Sequence, residues 1–321
     1  MRIALPPDID PAAFVRRDAS APVLTTGGET MGTCWSVRFA RVPGVALANV
    51  RVAVTARLGG IVAEMSHWEP ATCLSRFNRA EPGSWVTLPP DFATVMTAAL
   101  DIAEASDGAF DPAIGALVDM WGFGPVPTAE APRAEAIAEA CAAGGWRRLA
   151  WRAPDRALRQ PGDLRLDLSG IAKGFAVDAV AGALRGLGLH DFLVEIGGEL
   201  FGAGVRPDGE PWWVDLETPP GLELPPLRIA LHGLAVATSG NSRRGEHTID
   251  PRTGLGASGG VLAASVIHTS AMLADAWATA LTVLGPIKGL EMADRIGLAA
   301  RLIVAGSTAR EHLSTALVAM L

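Results

Sequence analysis

The spacing of apolar residues changes along the chain from strand-like alternation to helical steps and back, and this limits the fold more than any other feature. Trp35, Val37 and Phe39 alternate with polar positions, as on a strand with one buried face. Val54, Leu58, Ile61 and Met65 follow at steps of four, three and four, the spacing of one helix face. Phe92, Val95, Met96, Ala99 and Ile102 repeat that pattern after Pro89-Pro90-Asp91, and Asp107-Gly108 ends it. Further along, the pattern predicts a strand end at 165–168, a turn at Gly170 and a helix through Val177, Val180, Leu184 and Leu187. Strands are expected over 191–196 and in several stretches of 227–267. A helix runs from near Leu273 to Gly285-Pro286, another covers 287–296, and 300–304 and 313–319 read as closing strands. Residues 66–78 and 121–132 read as loops, and 132–143 as an Ala-rich helix. Hairpin-like strands mixed with helices predict an α+β fold with mixed or antiparallel sheets.

The Pro-, Asp- and Arg-bearing residues 1–24 read as a loosely ordered lead-in to one domain over 25–321. Composition removes several classes of function. With 49% hydrophobic and 19% charged residues, the chain is not a disordered tail. A net charge of −7 gives no support for broad nucleic-acid binding. Cys34, Cys73 and Cys141 form no CxxC, so neither a zinc ribbon nor a disulfide framework is expected. Pro6, Pro7 and Asp8 interrupt any N-terminal signal, and the nearly uncharged stretch 255–287 contains His268 and Asp275. No membrane span and a cytoplasmic location are therefore expected.

Five constellations carry chemical interest. Asp275 and Thr279 lie one helical turn apart and offer two oxygens on one face, suited to a hard cation such as Mg²⁺. LDLSGIAKGFAVD, residues 166–178, is a strand–turn–helix with Gly170 at the turn and Lys173 in the first helical turn, a setting for an anion. The segment 107–125 holds Asp111 and an aromatic Trp-Gly-Phe-Gly run that suits a planar ring. The segment 237–254 holds a polar Thr-Ser-Gly turn and His247, with Asp250 as a second titratable group. The segment 65–78 offers Trp68 for stacking and Asn78 for a ring edge. Each also has a purely structural account when taken alone: helix-dipole and turn chemistry, an aromatic plug, or a hairpin.

Taken together and in this order, the pieces resemble the ApbE family of FAD:protein FMN transferases. The resemblance runs over about residues 29–287 through MGT, MSxW…SRFN, GAFDPAIGALVDMWGFG, DLSGIAKGFAVD, EIGGEL, ATSG, HTIDPRTG and ADAWATALTVLG. It implies a fold related to the T-fold and a Mg²⁺-dependent transfer of FMN from FAD to a Ser or Thr hydroxyl of an acceptor protein, with release of AMP; Mn²⁺ is the alternative ion. It implies metal binding by the Gly170 carbonyl, Asp275 and Thr279. It further implies FAD contacts at Met31, Trp68, Ala109, Phe110, Asp111, Asp167, Lys173 and Ile249, with Asn78 and His247 near the flavin and the transfer step. His247 is the candidate general base and Asp250 the second.

The chain departs from the family pattern in three places. Trp68 replaces the usual Tyr, Glu195 and Glu199 flank Gly197-Gly198 where Asn and Asp are common, and the loop between Ser239 and His247 is short. No [ST]-[GS]-Ala-Thr acceptor pattern is present, so self-modification is not expected. Two other functions use overlapping features: an FAD pyrophosphatase releasing FMN and AMP, and a non-enzymatic flavin-binding protein. Attachment of flavin to an added acceptor separates the first function from the pyrophosphatase, and intact FAD in the presence of Mg²⁺ would mark the flavin-binding protein.

Overall fold

In the computed structural model, which describes residues 1–125, 128, 131–240, 247–306 and 310–321, the chain begins with β1 (Arg2–Ala4), α1 (Pro11–Arg16), β2 (Val23–Thr30) and β3 (Thr33–Ala40). Next come α2 (Leu47–Met65), α3 (Cys73–Asn78), β4 (Trp85–Thr87), α4 (Pro90–Ala105), α5 (Gly115–Met120) and α6 (Ala134–Ala143). The centre holds β5 (Ala150–Arg152), β6 (Ala157–Arg159), α7 (Ala172–Gly186), β7 (Phe192–Ile196), β8 (Glu199–Ala203) and β9 (Trp212–Asp215). The chain ends with β10 (Leu227–Leu231), β11 (Leu234–Ser239), β12 (Val261–His268), α8 (Ala271–Arg295), β13 (Ala299–Val304), β14 (Arg310–Leu313) and α9 (Thr315–Val318).

Among the described residues, eight strands form an antiparallel sheet in the order β14-β13-β12-β11-β8-β7-β3-β2. Both faces of its centre are covered, so its strands are not half polar. On β7, Phe192, Val194 and Ile196 join the main core with α2, α4, α7 and α8, while Leu193 faces a second core. On β11, Ala235 and Ala237 face the helices, and Leu234 and Val236 face the second core with Trp212, Leu227 and Ile229. The small sheet β1-β10-β9 supplies that second cover. This is an α+β fold in layers: helices, large sheet, small sheet.

Register brings several motifs to one end of the large sheet. The β2–β3 turn is a two-residue hairpin with Met31 and Gly32 at φ 49° and 69°. Trp35 pairs with Ile196, so the Gly197-Gly198 turn before β8 lies at the same end. β11 runs antiparallel to β8 and carries Thr238 and Ser239 to that end as well.

The structure departs from the sequence reading in several elements. The lead-in 1–24 is not loose: β1 pairs with β10, Arg2 forms a double ion pair with Glu311, and the Asp10 N–H donates to His232 Nε2 at 2.9 Å. The expected loop 66–78 contains α3, capped by Thr72 Oγ1 accepting from the Ser75 N–H at 3.1 Å. The segment 107–125 contains α5. Residues 165–168 form no strand; Arg165 makes a single bridge to Ile114. The expected strand over 313–319 is the end of β14 followed by α9, because Ser314 caps a helix there. The two helices expected around Gly285-Pro286 abut as α8, with Gly285 at φ 78° making the kink.

Candidate active site

The site is built on the crossing of α7 and α8. Gly174 in α7 faces α8 with no room for a side chain: a Cβ there would overlap the Ala271 carbonyl oxygen and lie 2.8 Å from Asp275 Cβ. One turn further on, Asp178 accepts from Ser270 Oγ at 2.7 Å and from the Ala271 and Met272 N–H groups at 2.9 and 3.0 Å. A carboxylate on α7 therefore satisfies and complements the first turn of α8. That fixes the helix carrying Asp275 and Thr279.

Asp275 is buried and its Oδ2 accepts the Gly174 N–H at 3.0 Å. The Thr279 hydroxyl donates to the Asp275 carbonyl at 3.3 Å, which leaves its lone pairs for another partner. Gly170 lies against Thr279: a Cβ on it would be 3.1 Å from Thr279 Oγ1 and 3.3 Å from the Phe110 ring. The structure thus gathers Gly170, Thr279, Asp275 and Phe110 from three separate segments.

Lys173 is paired within the protein. Its Nζ lies 2.5 Å from Oε1 of Glu199, the first residue of β8. Glu199 is buried, and its Oε2 has no hydrogen-bond partner among the described residues. Burial and the nearby Asp275 push its carboxyl up to about 7 against the pull of Lys173. Burial also raises Asp275, opposed by Lys173. Among the described residues two buried carboxyl groups share one ammonium, an arrangement that favours a further positive charge. The donors are a carboxylate, a hydroxyl and a glycine backbone, all hard oxygens that suit Mg²⁺. Among the described residues no group of three or more His, Cys, Asp or Glu could hold a metal.

Other expected ligand residues take structural partners. Asn78 bonds the backbone of Leu166 at both ends: its Nδ2 donates to the carbonyl at 3.0 Å and its Oδ1 accepts the N–H at 2.8 Å. It therefore clamps the segment leading into Asp167. Asn78→Leu is expected to cost about 1–3 kcal/mol in urea unfolding, since both Leu166 groups lose a partner. Asp167 Oδ1 accepts the Ser169 N–H at 2.8 Å, and its Oδ2 lies 3.3 Å from His67 Nδ1. Trp68 is exposed, with its ring 5.3 Å from that of His67.

Asp111 is enclosed, accepting the Ala113 N–H at 2.7 Å and the Trp146 N–H at 3.0 Å. Burial outweighs these bonds and pushes its carboxyl up to about 6. A raised acid favours folding at low pH, and that contribution is lost as pH rises from about 4 through 6. Asp111→Asn is expected to flatten the fall in urea midpoint across that window.

Ala109 is buried with Ala257 and Val283, and Met31 packs on the main core. Ile249 is buried with Leu117 and Ile137, and Trp121 Nε1 donates to the Gly254 carbonyl at 2.8 Å. The aromatic segment and the HTIDPRTG segment are thus fastened together. His247 meets the Phe123 ring edge-on at 6.5 Å. Asp250 is a poor base candidate, because its carboxylate is occupied by the Arg252 guanidinium at 2.8 Å. The short loop after Ser239 and Gly240, residues 241–246, lies outside the described residues.

The ApbE family sequence profile matches residues 31–302. The chain belongs to the ApbE family. It is 33% identical over 310 residues to the FAD:protein FMN transferase of Haemophilus influenzae, a match covering 88% of this chain and 86% of that protein. The Escherichia coli K12 protein of the same name is 32% identical over 88% of this chain and 84% of its own length. The apo flavinyl transferase ApbE of Pseudomonas stutzeri superposes with a TM-score of 0.87 at 36% identity, covering 94% of this chain and 97% of that one. Within this ApbE frame, the sequence reading named Glu199 only as a departure and did not use Asp178 or His67. Glu199 had a faint signal, an acid directly after a Gly-Gly turn. Asp178 and His67 had none, because their partners lie 92 and 100 residues away along the chain.

Proposed function

We propose that this protein is an FAD:protein FMN transferase that uses Mg²⁺ to move FMN from FAD onto a Ser or Thr hydroxyl of an acceptor protein. One observation carries the reading: Gly170 lies against Thr279, and Asp275, one turn before Thr279 on α8, is one of two buried carboxyl groups that share the Lys173 ammonium among the described residues. Those three residues would hold the ion. A divalent cation bound there supplies charge neutralisation at the diphosphate and polarises its oxygens.

The residues around it bind and orient. Asp178 and Gly174 set the position of α8. Lys173 keeps a positive charge beside Glu199 and Asp275. Phe110, whose ring lies against Gly170, gives that side of the glycine an apolar neighbour. The acceptor hydroxyl oxygen bonds to the phosphorus of the FMN half, the bond to the AMP phosphate breaks, and AMP leaves with that electron pair. His247 takes the hydroxyl proton, a role typically worth about 10²–10⁴ in rate.

The test mixes the purified protein with FAD, Mg²⁺ and a peptide bearing a Ser/Thr flavinylation motif. Mass spectrometry is expected to show the peptide gaining FMN together with stoichiometric AMP. FMN and AMP released free, with the peptide unmodified, would convert the reading to hydrolysis. FAD left intact would reduce it to flavin binding.

A further inference from the structure

The large sheet ends in two edges of different character. At one end β14 is four residues long, carries Arg310, Glu311 and His312, and runs into α9. Short, charged strands protect a sheet edge against pairing with another chain. At the other end β2 has none of that protection. It spans eight residues, Val23–Thr30, without Pro, Lys or Arg, and Glu29 is its single charge. Val23, Thr25 and Glu29 are exposed.

The register shows which backbone groups face outward. The Cys34 carbonyl accepts the Gly197 N–H at 3.1 Å, and the Ala40 N–H donates to the Asp191 carbonyl at 3.0 Å. Both therefore point from β3 toward the β7 side, and their partners across the β2–β3 ladder, Glu29 and Val23, point away from β3. Alternation adds Thr25 and Gly27 to this outward set. Among the described residues nothing bonds the N–H and C=O groups of these four residues on the open side.

This edge also leads to the site. β2 ends at the Met31-Gly32 turn, and Thr33, just beyond it, lies against the next turn: a Cβ on Gly197 would be 2.9 Å from Thr33 Cγ2. Two residues on, Glu199 holds Lys173. An extended chain laid along β2 would cover about eight residues at roughly 3.4 Å each, and end beside the turn that carries Glu199. Sheet edges take such chains by main-chain hydrogen bonds. In an extended segment the side chains stand clear on alternate faces, so a Ser or Thr just past the strand is presented to the site.

We propose that β2 is the docking edge for the acceptor protein: an extended acceptor segment adds as a ninth strand against Val23–Thr30 and presents its Ser or Thr beyond the Met31-Gly32 turn. The inference rests on the transferase reading above and supplies the route by which the acceptor reaches that site.

The test uses the full-length protein, FAD, Mg²⁺ and a peptide carrying the Ser/Thr flavinylation motif with about ten flanking residues on each side, enough to span the strand. Thr25→Pro removes an outward N–H and leaves the β3 ladder bonds in place, a position where an edge strand tolerates proline. Thr25→Val keeps the N–H. Thr25→Pro is expected to raise KM for the peptide about tenfold, with KM for FAD within about twofold of the parent, while Thr25→Val stays within about twofold for both. Hydrogen exchange read by mass spectrometry gives a second measurement on the unaltered protein. A peptide with Ala in place of the acceptor hydroxyl residue is expected to slow the fast amides of residues 23–29 about tenfold or more. Thr25→Pro modifying the peptide with the parent KM, or exchange over 23–29 unchanged at peptide concentrations that inhibit transfer, would overturn the inference and leave the transferase reading intact. Protection that is present without peptide and grows with protein concentration would give the edge to a second copy, and overturns it too. A parent protein that leaves the peptide unmodified overturns both. Melting curves check folding, and if Thr25→Pro does not fold the exchange measurement decides.

Discussion

Asp275→Asn is expected to abolish Mg²⁺-dependent AMP release while leaving the protein folded. The amide keeps the size of the carboxylate and can still accept the Gly174 N–H. It loses the charge that would draw a cation to Thr279 and Gly170. Several kcal/mol of charge stabilisation at the diphosphate would go with it, a fall in kcat on the order of 10³ or more. Stability is expected to hold or rise, because burial already disfavours the ionised carboxyl at this position. AMP release followed by chromatography with and without Mg²⁺, next to a melting curve, separates these outcomes. A variant that transfers FMN at the parent rate in Mg²⁺ would remove Asp275 from the reaction.

The second large effect is expected at Gly174. Alanine is the better helix former by about 1 kcal/mol, so propensity alone predicts stabilisation. Space decides otherwise. A Cβ would overlap the Ala271 carbonyl oxygen and press on Asp275 Cβ at 2.8 Å, and neither is the end of a flexible side chain. Forcing the helices apart costs about 1–3 kcal/mol, more for Val than for Ala. It also moves Asp275 relative to Gly170, so activity should fall further than the melting point alone would imply. Gly182 in the same helix has nothing within 4 Å of its added Cβ and is exposed. Gly182→Ala is therefore the matched control, expected to gain up to about 1 kcal/mol. Calorimetry on the pair checks the sign of both changes.

What could be read from the sequence follows the range of the interactions. Asp275 and Thr279 were legible because a helical step of four places both on one face, and α2, α4 and α7 were legible from the same period. Short α3, α5 and α9 were not, because about one turn carries no repeat and their existence depends on caps such as Thr72 and Ser314. The Lys173–Glu199 pair was not legible, because Glu199 comes from a strand 26 residues on and no local pattern announces it. The Asn78 clamp was not legible for the same reason: its partner, the Leu166 backbone, lies 88 residues away.

The cap on α8 has a consequence for how the molecule can be divided. Asp178 and Ser270 are 92 residues apart, yet neither end of that contact is complete without the other. A piece ending before Ser270 carries the carboxylate with no helix to grip, and a piece beginning there carries Asp275 on an untethered first turn. The helix that carries Asp275 is thus seated by a residue from the other half of the polypeptide, and co-expressed halves are expected to recover turnover only to the extent that they dock.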